Sequence, residues 1–419
     1  MANSRILLGI DIGSTKIATV VGELHPSRGL ILRGLSVVQT QSVSRGTIRD
    51  LNQAARDIDD SFSGAMYSSG LSSDSVFVGI TGRDLSSQNS RATLDINHPE
   101  GEVTREDVAE VITRSLPRDL REGQQIVQSM VREFALDGIR TNRSPVGMIG
   151  KRLEVETHVV IGAENQIANI ERALSRLDLK VSSYVFNLIA AGEAVLSAED
   201  RNAGCILLDF GGGSTNVGIF LGGTLAYSQC IPVGGMNYDH DLKHGLGVSF
   251  EEALRIKRSY GKAWLESDND ELEEFIDVKF YGRREYDKVK RRRIYDIMQP
   301  RTEELLEHII IALNDSGLLP RIAGGAVITG GGALLRQFRR YLQRHLGRQV
   351  RVGLPTGIGH VLDEYRTPLY ASTLGLLIYG SKYQEPESES TAGFFGDVTQ
   401  ALRDLLGGMF GRRGQPQEK

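Results

Sequence analysis

The sequence predicts an α/β protein of several packed units built around a repeated β-hairpin. Three observations carry this. The chain has 419 residues, enough for about two to four packed units. Its 48 glycines include three tight clusters, Gly9–Lys16, Gly211–Thr215 and Gly330–Gly332, and each ends a short Ile/Leu/Val run of the kind that forms a buried strand. The first two clusters lead into a second apolar run, so each reads as strand, acid, glycine turn, strand.

The first hairpin runs from Ile6 through Asp11 to Gly13, Ser14, Thr15 and Lys16, then into Ile17–Val21. The second runs from Ile206 through Asp209 to Gly211, Gly212, Gly213, Ser214, Thr215 and Asn216, then into Val217–Phe220. A glycine turn lets backbone N–H groups approach a phosphate closely, and Ser/Thr hydroxyls add donors. An acid just before the turn is placed to hold a hydrated Mg²⁺. Two such hairpins facing each other would clamp a polyphosphate, with Asp11 and Asp209 at the metal. A lone match also describes an ordinary hairpin; repetition favours the phosphate reading. No G-x-x-x-x-G-K-[ST] occurs, which excludes a P-loop, and turns leading into β-like sequence fit a dinucleotide fold poorly.

In the third cluster, Ala326–Thr329 ends in Gly330, Gly331 and Gly332 before a predicted helix from Leu334 to Leu346. Bare glycine backbone would let a flat base lie against it. A plain strand-to-helix cap is the alternative, and the two hairpins favour the nucleotide.

Together the three loops resemble the phosphate-one, phosphate-two and adenosine motifs of the actin, chaperone and sugar-kinase superfamily. That resemblance implies an actin-like two-lobed ATPase with ATP and Mg²⁺ in the cleft between its lobes. Ser144–Glu154 is similar to the PVGM-x-G-x-RLE segment of the FtsA family of bacterial cell-division actin homologues. Arg293–Glu304 resembles that family's R-x-L-x-x-I-I-x-P-R-x-x-E helix, and Gly234-Gly235, Asp241-Leu242, Glu252-Ala253 and Ile256-Lys257 resemble its GG…DI…EAE-x-IK stretch. The resemblance implies an inserted small subdomain, self-association into filaments, and a tether for the FtsZ C-terminal tail. It also implies contacts with later division proteins and a place on the cytoplasmic face of the cell membrane at the division site. It adds Lys257 to the nucleotide site, beside the base and ribose. For the acidic FtsZ tail it points to Arg293, Arg301 and Glu304.

The chain departs from the family pattern in three places. Ser214-Thr215-Asn216 stands where T-T-D is usual, Leu254 replaces the second acid of EAE, and Asp239 stands where a threonine often follows the GG pair. The segment Phe186–Leu196, which resembles the family's connection between lobes, offers no compelling base to activate water. Nucleotide binding with at most slow hydrolysis is expected.

The C-terminus gives an independent argument. Residues 382–393 are polar and acidic and read as a flexible linker. Beyond it, Phe394, Phe395, Val398, Leu402, Leu405, Leu406, Met409 and Phe410 fall within an arc of roughly 160° on a helix, with Asp397, Gln400, Arg403 and Asp404 opposite. Such a helix suits the surface of a bilayer, with Arg412 and Arg413 toward anionic headgroups. Gly396, Gly407 and Gly408 lower its intrinsic helicity, so the membrane itself is expected to help fold it. A helix docked on the protein's own core is the alternative; the linker, the aromatics and the basic end argue against it.

Other classes fall away. The 49 Lys and Arg against 53 Asp and Glu give a net charge of −4, which excludes a generally basic nucleic-acid binder. The run Lys288–Arg293 lacks the aromatic interleaving of a single-strand binder, so no nucleic-acid partner is expected. Two cysteines, Cys205 and Cys230, are too few for a disulfide scaffold and read as thiols of a reducing compartment. No apolar run approaches the roughly 18 residues of a membrane span. A sugar kinase would need a catalytic acid beside its sugar pocket and has no use for the terminal helix. A PilM-like peptide-binding assembly ATPase shares the core loops but would not be expected to carry that helix.

The expected organisation is discontinuous. Residues 1–84, 162–200 and 360–381 form the first lobe, and residues 85–161 the insert. Residues 202–233 and 302–359 form the second lobe, residues 234–301 its outer subdomain, and residues 394–413 the membrane helix.

Overall fold

Arg5–Ile12 and Lys16–His25 pair antiparallel, from Arg5 opposite Leu24 to Ile12 opposite Ile17. These coordinates are a computed structural model that describes residues 4–265 and 270–383. Gly29–Gln39 extends the sheet on one side, antiparallel; Ser75–Ile80 and then Lys180–Phe186 add in parallel on the other. A second five-stranded sheet follows the same plan. Cys205–Phe210, Thr215–Leu221 and Thr224–Ile231 meander antiparallel, and Ala326–Thr329 and Val350–Val352 add in parallel beside Cys205–Phe210. The repeated hairpin is therefore the visible part of a repeated sheet. Cys205–Phe210 is buried along its whole length, as expected for a central strand covered on both faces.

Two helices join the halves. All nine residues of Asn187–Val195 are buried between the sheets, and Ala371–Tyr383 packs across it. They meet at Gly375, where any side chain would drive into the Ala190 carbonyl. One apolar core runs from the first sheet through these helices to Leu207, Phe220 and Val327 of the second. On the far face of the second sheet, a separate core holds Tyr238 of helix Gly235–Leu246, Ile256 of Phe250–Tyr260 and Leu305 of Arg291–Asp315.

Between the second and third parallel strands of the first sheet, the chain leaves to build a four-stranded sheet, Ser86–Asp95, Arg152–Ala163, Gln124–Leu136 and Ile139–Thr141 in spatial order. Helix Arg105–Ser115, started by a Thr104–Asp107 capping box, covers it, and Val108, Phe134 and Leu153 form its own core.

One element differs from expectation. The helix predicted from Leu334 is a 3₁₀ turn, Gly331–Leu334, followed by an α-helix at Phe338–Leu346. Gln337 stands between them at φ 65°, which a right-handed helix cannot continue through. Arg291–Asp315 is one helix across residue 301, with Pro300 inside it. Cys205 and Cys230 are both free, Cys205 buried. Among the described residues, no helix is long and apolar enough to cross a membrane. The terminal helix expected at 394–413 lies outside the described residues.

Candidate functional site

The two glycine turns close with the same bond. Gly13 N–H donates to the Lys16 carbonyl at 3.0 Å, and Gly211 N–H to the Ser214 carbonyl at 2.9 Å. The turns face each other: a Cβ on Gly212 would strike Thr15, and one on Gly213 would lie 2.5 Å from Ser14 Oγ. Only glycine permits this approach. The Ser14 hydroxyl also accepts from Gly46 N–H at 3.0 Å.

Asp11 and Asp209 end the central strands of the two sheets, and both are buried. Asp11 accepts from the Asn187 amide at 2.9 Å, from Thr373 Oγ1 at 2.8 Å and from Ser372 Oγ at 3.2 Å. Asp209 accepts from the Asn216 amide at 3.2 Å, and Asn216 also donates to the Thr81 hydroxyl at 3.0 Å. Burial, reinforced by the charge of Asp11, pushes the Asp209 carboxyl up to about 6. Lys16 lies close enough to oppose that shift, and burial pulls its own ammonium down to about 8. Two buried carboxylates facing each other make a hard-oxygen pair suited to Mg²⁺, which uses one or two carboxylates and completes its shell with water and phosphate. The residues present fit that ion.

Lys16 is held by the turn before the last described helix. Its ammonium donates to the Leu369 carbonyl at 2.5 Å and sits 4.1 Å over the Tyr370 ring. The neighbouring Pro368 carbonyl accepts from Gly330 N–H at 3.0 Å, so this turn touches both the first hairpin and the third glycine loop. Gly330, at φ 79°, lies against Asp209; Gly332 lies against the Phe210 ring, and Gly331 against Leu369. Packing on the second hairpin thus accounts for Gly330 and Gly332, and the Leu369 turn for Gly331.

Helix Gly235–Leu246 starts on the second turn. Gly235 N–H donates to the Gly211 carbonyl at 2.9 Å and Met236 N–H to the Gly212 carbonyl at 2.8 Å. Lys257 donates to the Gly235 carbonyl at 2.8 Å and to Asp239 at 2.5 Å. Burial lowers the lysine and raises the aspartate. The other Asp239 oxygen has no partner among the described residues. An acid in the place of the family's threonine therefore draws Lys257 into a buried ion pair.

Arg293, Arg301 and Glu304 share helix Arg291–Asp315. Arg301 grips Asp241 with two bonds, at 2.7 and 2.9 Å, and pairs with Glu304; Arg293 donates to the Gly245 carbonyl at 3.1 Å. The membrane-facing residues named from the sequence, Phe394 to Arg413, lie outside the described residues.

Sequence reasoning missed Thr81, Ser372 and Thr373 and gave Asn187 no role. Their partners lie far away in sequence, 176 residues for Asn187 and 362 for Thr373. The segment Phe186–Leu196 resembled a connection between lobes with no compelling base, and the Ser372-Thr373 pair carried no spacing signal.

Two family models match. "Cell division protein FtsA" covers residues 206–375, and "SHS2 domain inserted in FTSA" covers residues 82–161. Among curated relatives, the cell division protein FtsA of Borreliella burgdorferi is 29% identical over 91% of this chain and 92% of its own. Among solved structures, a PilM-PilN type IV pilus biogenesis complex is similar at TM-score 0.61 and 17% identity, covering 89% of this chain and 98% of that one. MreB5 of Spiroplasma citri, solved bound to ADP and to AMPPNP, is similar at TM-score 0.54 and 12% identity, covering 90% and 96%. At those identities the structural likeness establishes the actin-like fold.

Proposed function

Since the chain belongs to the FtsA family of cell division proteins, we propose that it binds ATP with Mg²⁺ between its two hairpins, polymerises, and tethers FtsZ filaments to the cytoplasmic face of the cell membrane at the division site. The observation that carries the nucleotide reading is the face-to-face approach of the turns at residues 13–15 and 211–214, with a buried aspartate at the base of each. Their backbone N–H groups and the Ser14, Thr15 and Ser214 hydroxyls would hold the phosphates, and Asp11 and Asp209 the metal. Bound Mg²⁺ would supply positive charge against the phosphate oxygens and between the two carboxylates. Lys16 would leave the Leu369 carbonyl for a phosphate oxygen. Gly330, Gly331 and Gly332 would line the base side.

Hydrolysis would be slow. Asp209, raised to about 6, would be engaged with the metal, and the groups bonded to it and to Asp11 are amides and hydroxyls, from Asn187, Asn216, Ser372 and Thr373, none of which takes up a proton near neutral pH. Turnover of ATP at about 10 per second or faster, the range of metabolic enzymes, would contradict this reading.

The outer subdomain would receive the acidic FtsZ tail at Arg293, Arg301 and Glu304. Residues 394–413 would lie in the membrane surface, leaving the ATPase lobes in the cytoplasm. Liposome co-sedimentation tests the whole reading, using the full chain and a truncation ending at Glu389, with and without ATP and Mg²⁺. Only the full chain should pellet with anionic vesicles, and ATP should increase pelleting or filament formation. Both proteins staying in the supernatant would remove the membrane tether.

A further inference from the structure

The inserted subdomain grows from the first lobe and is anchored there by Gln128, whose side chain bonds Phe186 N–H and the Tyr379 hydroxyl, each at 3.0 Å. Its edge strand, Ser86–Asp95, nevertheless packs along Thr224–Ile231, the edge strand of the second sheet. Side chains make the connection. Ser87 Oγ donates to the Ser228 carbonyl at 2.7 Å, and the Asn89 amide donates to the Ala226 carbonyl at 3.0 Å. His158, on the neighbouring strand, lies 2.7 Å from Asn89 Oδ1 through Nδ1 and 2.9 Å from Ser228 Oγ through Nε2. With a neutral imidazole, a single proton arrangement satisfies the whole relay. The Ser228 hydroxyl donates to Nε2, Nδ1–H donates to Asn89, and Asn89 donates to Ala226. Burial, with Arg132 nearby, holds His158 in that neutral form by lowering it to about 3. Farther along, the Asn142 amide donates to the Gly222 carbonyl at 3.2 Å.

The strand so held feeds directly into the cleft. Cys230, on Thr224–Ile231, stands opposite Asn216, and Asn216 bonds Asp209 on one side and Thr81 of the first lobe on the other. A rotation that parts the two glycine turns has to slide Thr224–Ile231 past an insert fixed to the first lobe, breaking these bonds.

We propose that the inserted subdomain is a clasp between the lobes, in which Ser87, Asn89 and His158 hold the cleft closed and so set how fast nucleotide leaves. The proposal rests on the nucleotide reading above, and its test separates the two. Full-length protein, Ser87→Ala/Asn89→Ala and Arg91→Ala are compared; Arg91 pairs with Glu156 inside the insert and serves as the control for weakening the insert alone. Release of fluorescent mant-ATP with Mg²⁺ is followed after a chase with unlabelled ATP. Hydrogen exchange of residues 215–231 is followed without nucleotide. The double variant should release nucleotide roughly tenfold faster, the scale of losing two such bonds. Its amides at 215–231 should also exchange faster, and Arg91→Ala should change neither. Wild-type release from the double variant, or equal acceleration by Arg91→Ala, overturns the clasp. Failure of the wild-type protein to bind mant-ATP overturns the nucleotide reading instead. Hydrogen exchange then decides alone, and unchanged exchange at 215–231 in the double variant rejects the clasp.

Discussion

The Asn187 amide donates to the Asp11 carboxylate at 2.9 Å, joining the end of the first central strand to the start of the helix that connects the two sheets. The other Asn187 atom, Oδ1, is buried with no hydrogen-bond partner among the described residues and lies where a Cβ on Gly79 would come within 2.5 Å of it. The bond that Asn187 does make orients Asp11, and a buried polar side chain with an unpartnered oxygen calls for such a role.

Among the described residues, Asn187→Ala leaves Asp11 the hydroxyl donors of Ser372 and Thr373. Loss of one bond to a buried charged group costs about 1.5–3 kcal/mol, so Mg²⁺-dependent ATP affinity should fall roughly tenfold or more. Calorimetric titration with and without Mg²⁺ separates the effects: affinity without the metal should change little. An equal drop in both conditions would assign Asn187 to folding rather than to the metal site.

Asp209 predicts an unusual pH dependence. Its folded carboxyl is raised from 3.8 to about 6, so the folded protein binds the proton more tightly than the unfolded chain. Stability from this group is full at low pH and declines as pH rises from about 4 to about 6, costing up to roughly 3 kcal/mol above that window. His158 acts in the opposite sense. Lowered to about 3, it makes the folded state lose stability as pH falls below the unfolded histidine value of 6.5. Thermal melts of the wild-type protein and Asp209→Asn, without ligand at pH 4.5 and 7.5, isolate the aspartate because His158 is common to both. The variant should be the more stable at pH 7.5, with the gap shrinking at pH 4.5. A gap that does not depend on pH would mean that Asp209 is not raised.

Gly375→Ala should be among the most destabilising small substitutions in the chain. The added carbon would overlap the Ala190 carbonyl, backbone against backbone, where two buried helices cross. The expected loss is about 3 kcal/mol or more, beyond the usual range for a methyl group. Urea unfolding measures it, and a change under about 1 kcal/mol would show that the helices separate freely.

Arg301 is expected to have two effects that can be pulled apart. Its two bonds to Asp241 are partly exposed, so Arg301→Ala should cost only about 1 kcal/mol of stability. Affinity for a peptide carrying the FtsZ C-terminal tail should fall both in Arg301→Ala and in Arg293→Ala, whose guanidinium donates to the Gly245 carbonyl. Fluorescence anisotropy of the labelled peptide reads this directly. Unchanged binding in both variants would move the partner site elsewhere.

Local chemistry made much of this protein legible before any coordinates. Strand, acid, glycine turn and strand are adjacent in the chain, and the bonds that close the turns, Gly13 to Lys16 and Gly211 to Ser214, span three residues each. Asp11, Asp209 and the three glycine clusters could therefore be named directly. What only the tertiary structure decided lies across long sequence separations. The Thr373 hydroxyl reaches Asp11 from 362 residues away, and Asn89 meets Ala226 across 137. Lys257 turns to Asp239 because both are buried together, and the helix expected from Leu334 waits until Phe338 because Gln337 takes a left-handed conformation. Hydrogen bonds within a turn are written in the order of residues. Those between lobes depend on how the two sheets are brought together by the helices that cross at Gly375.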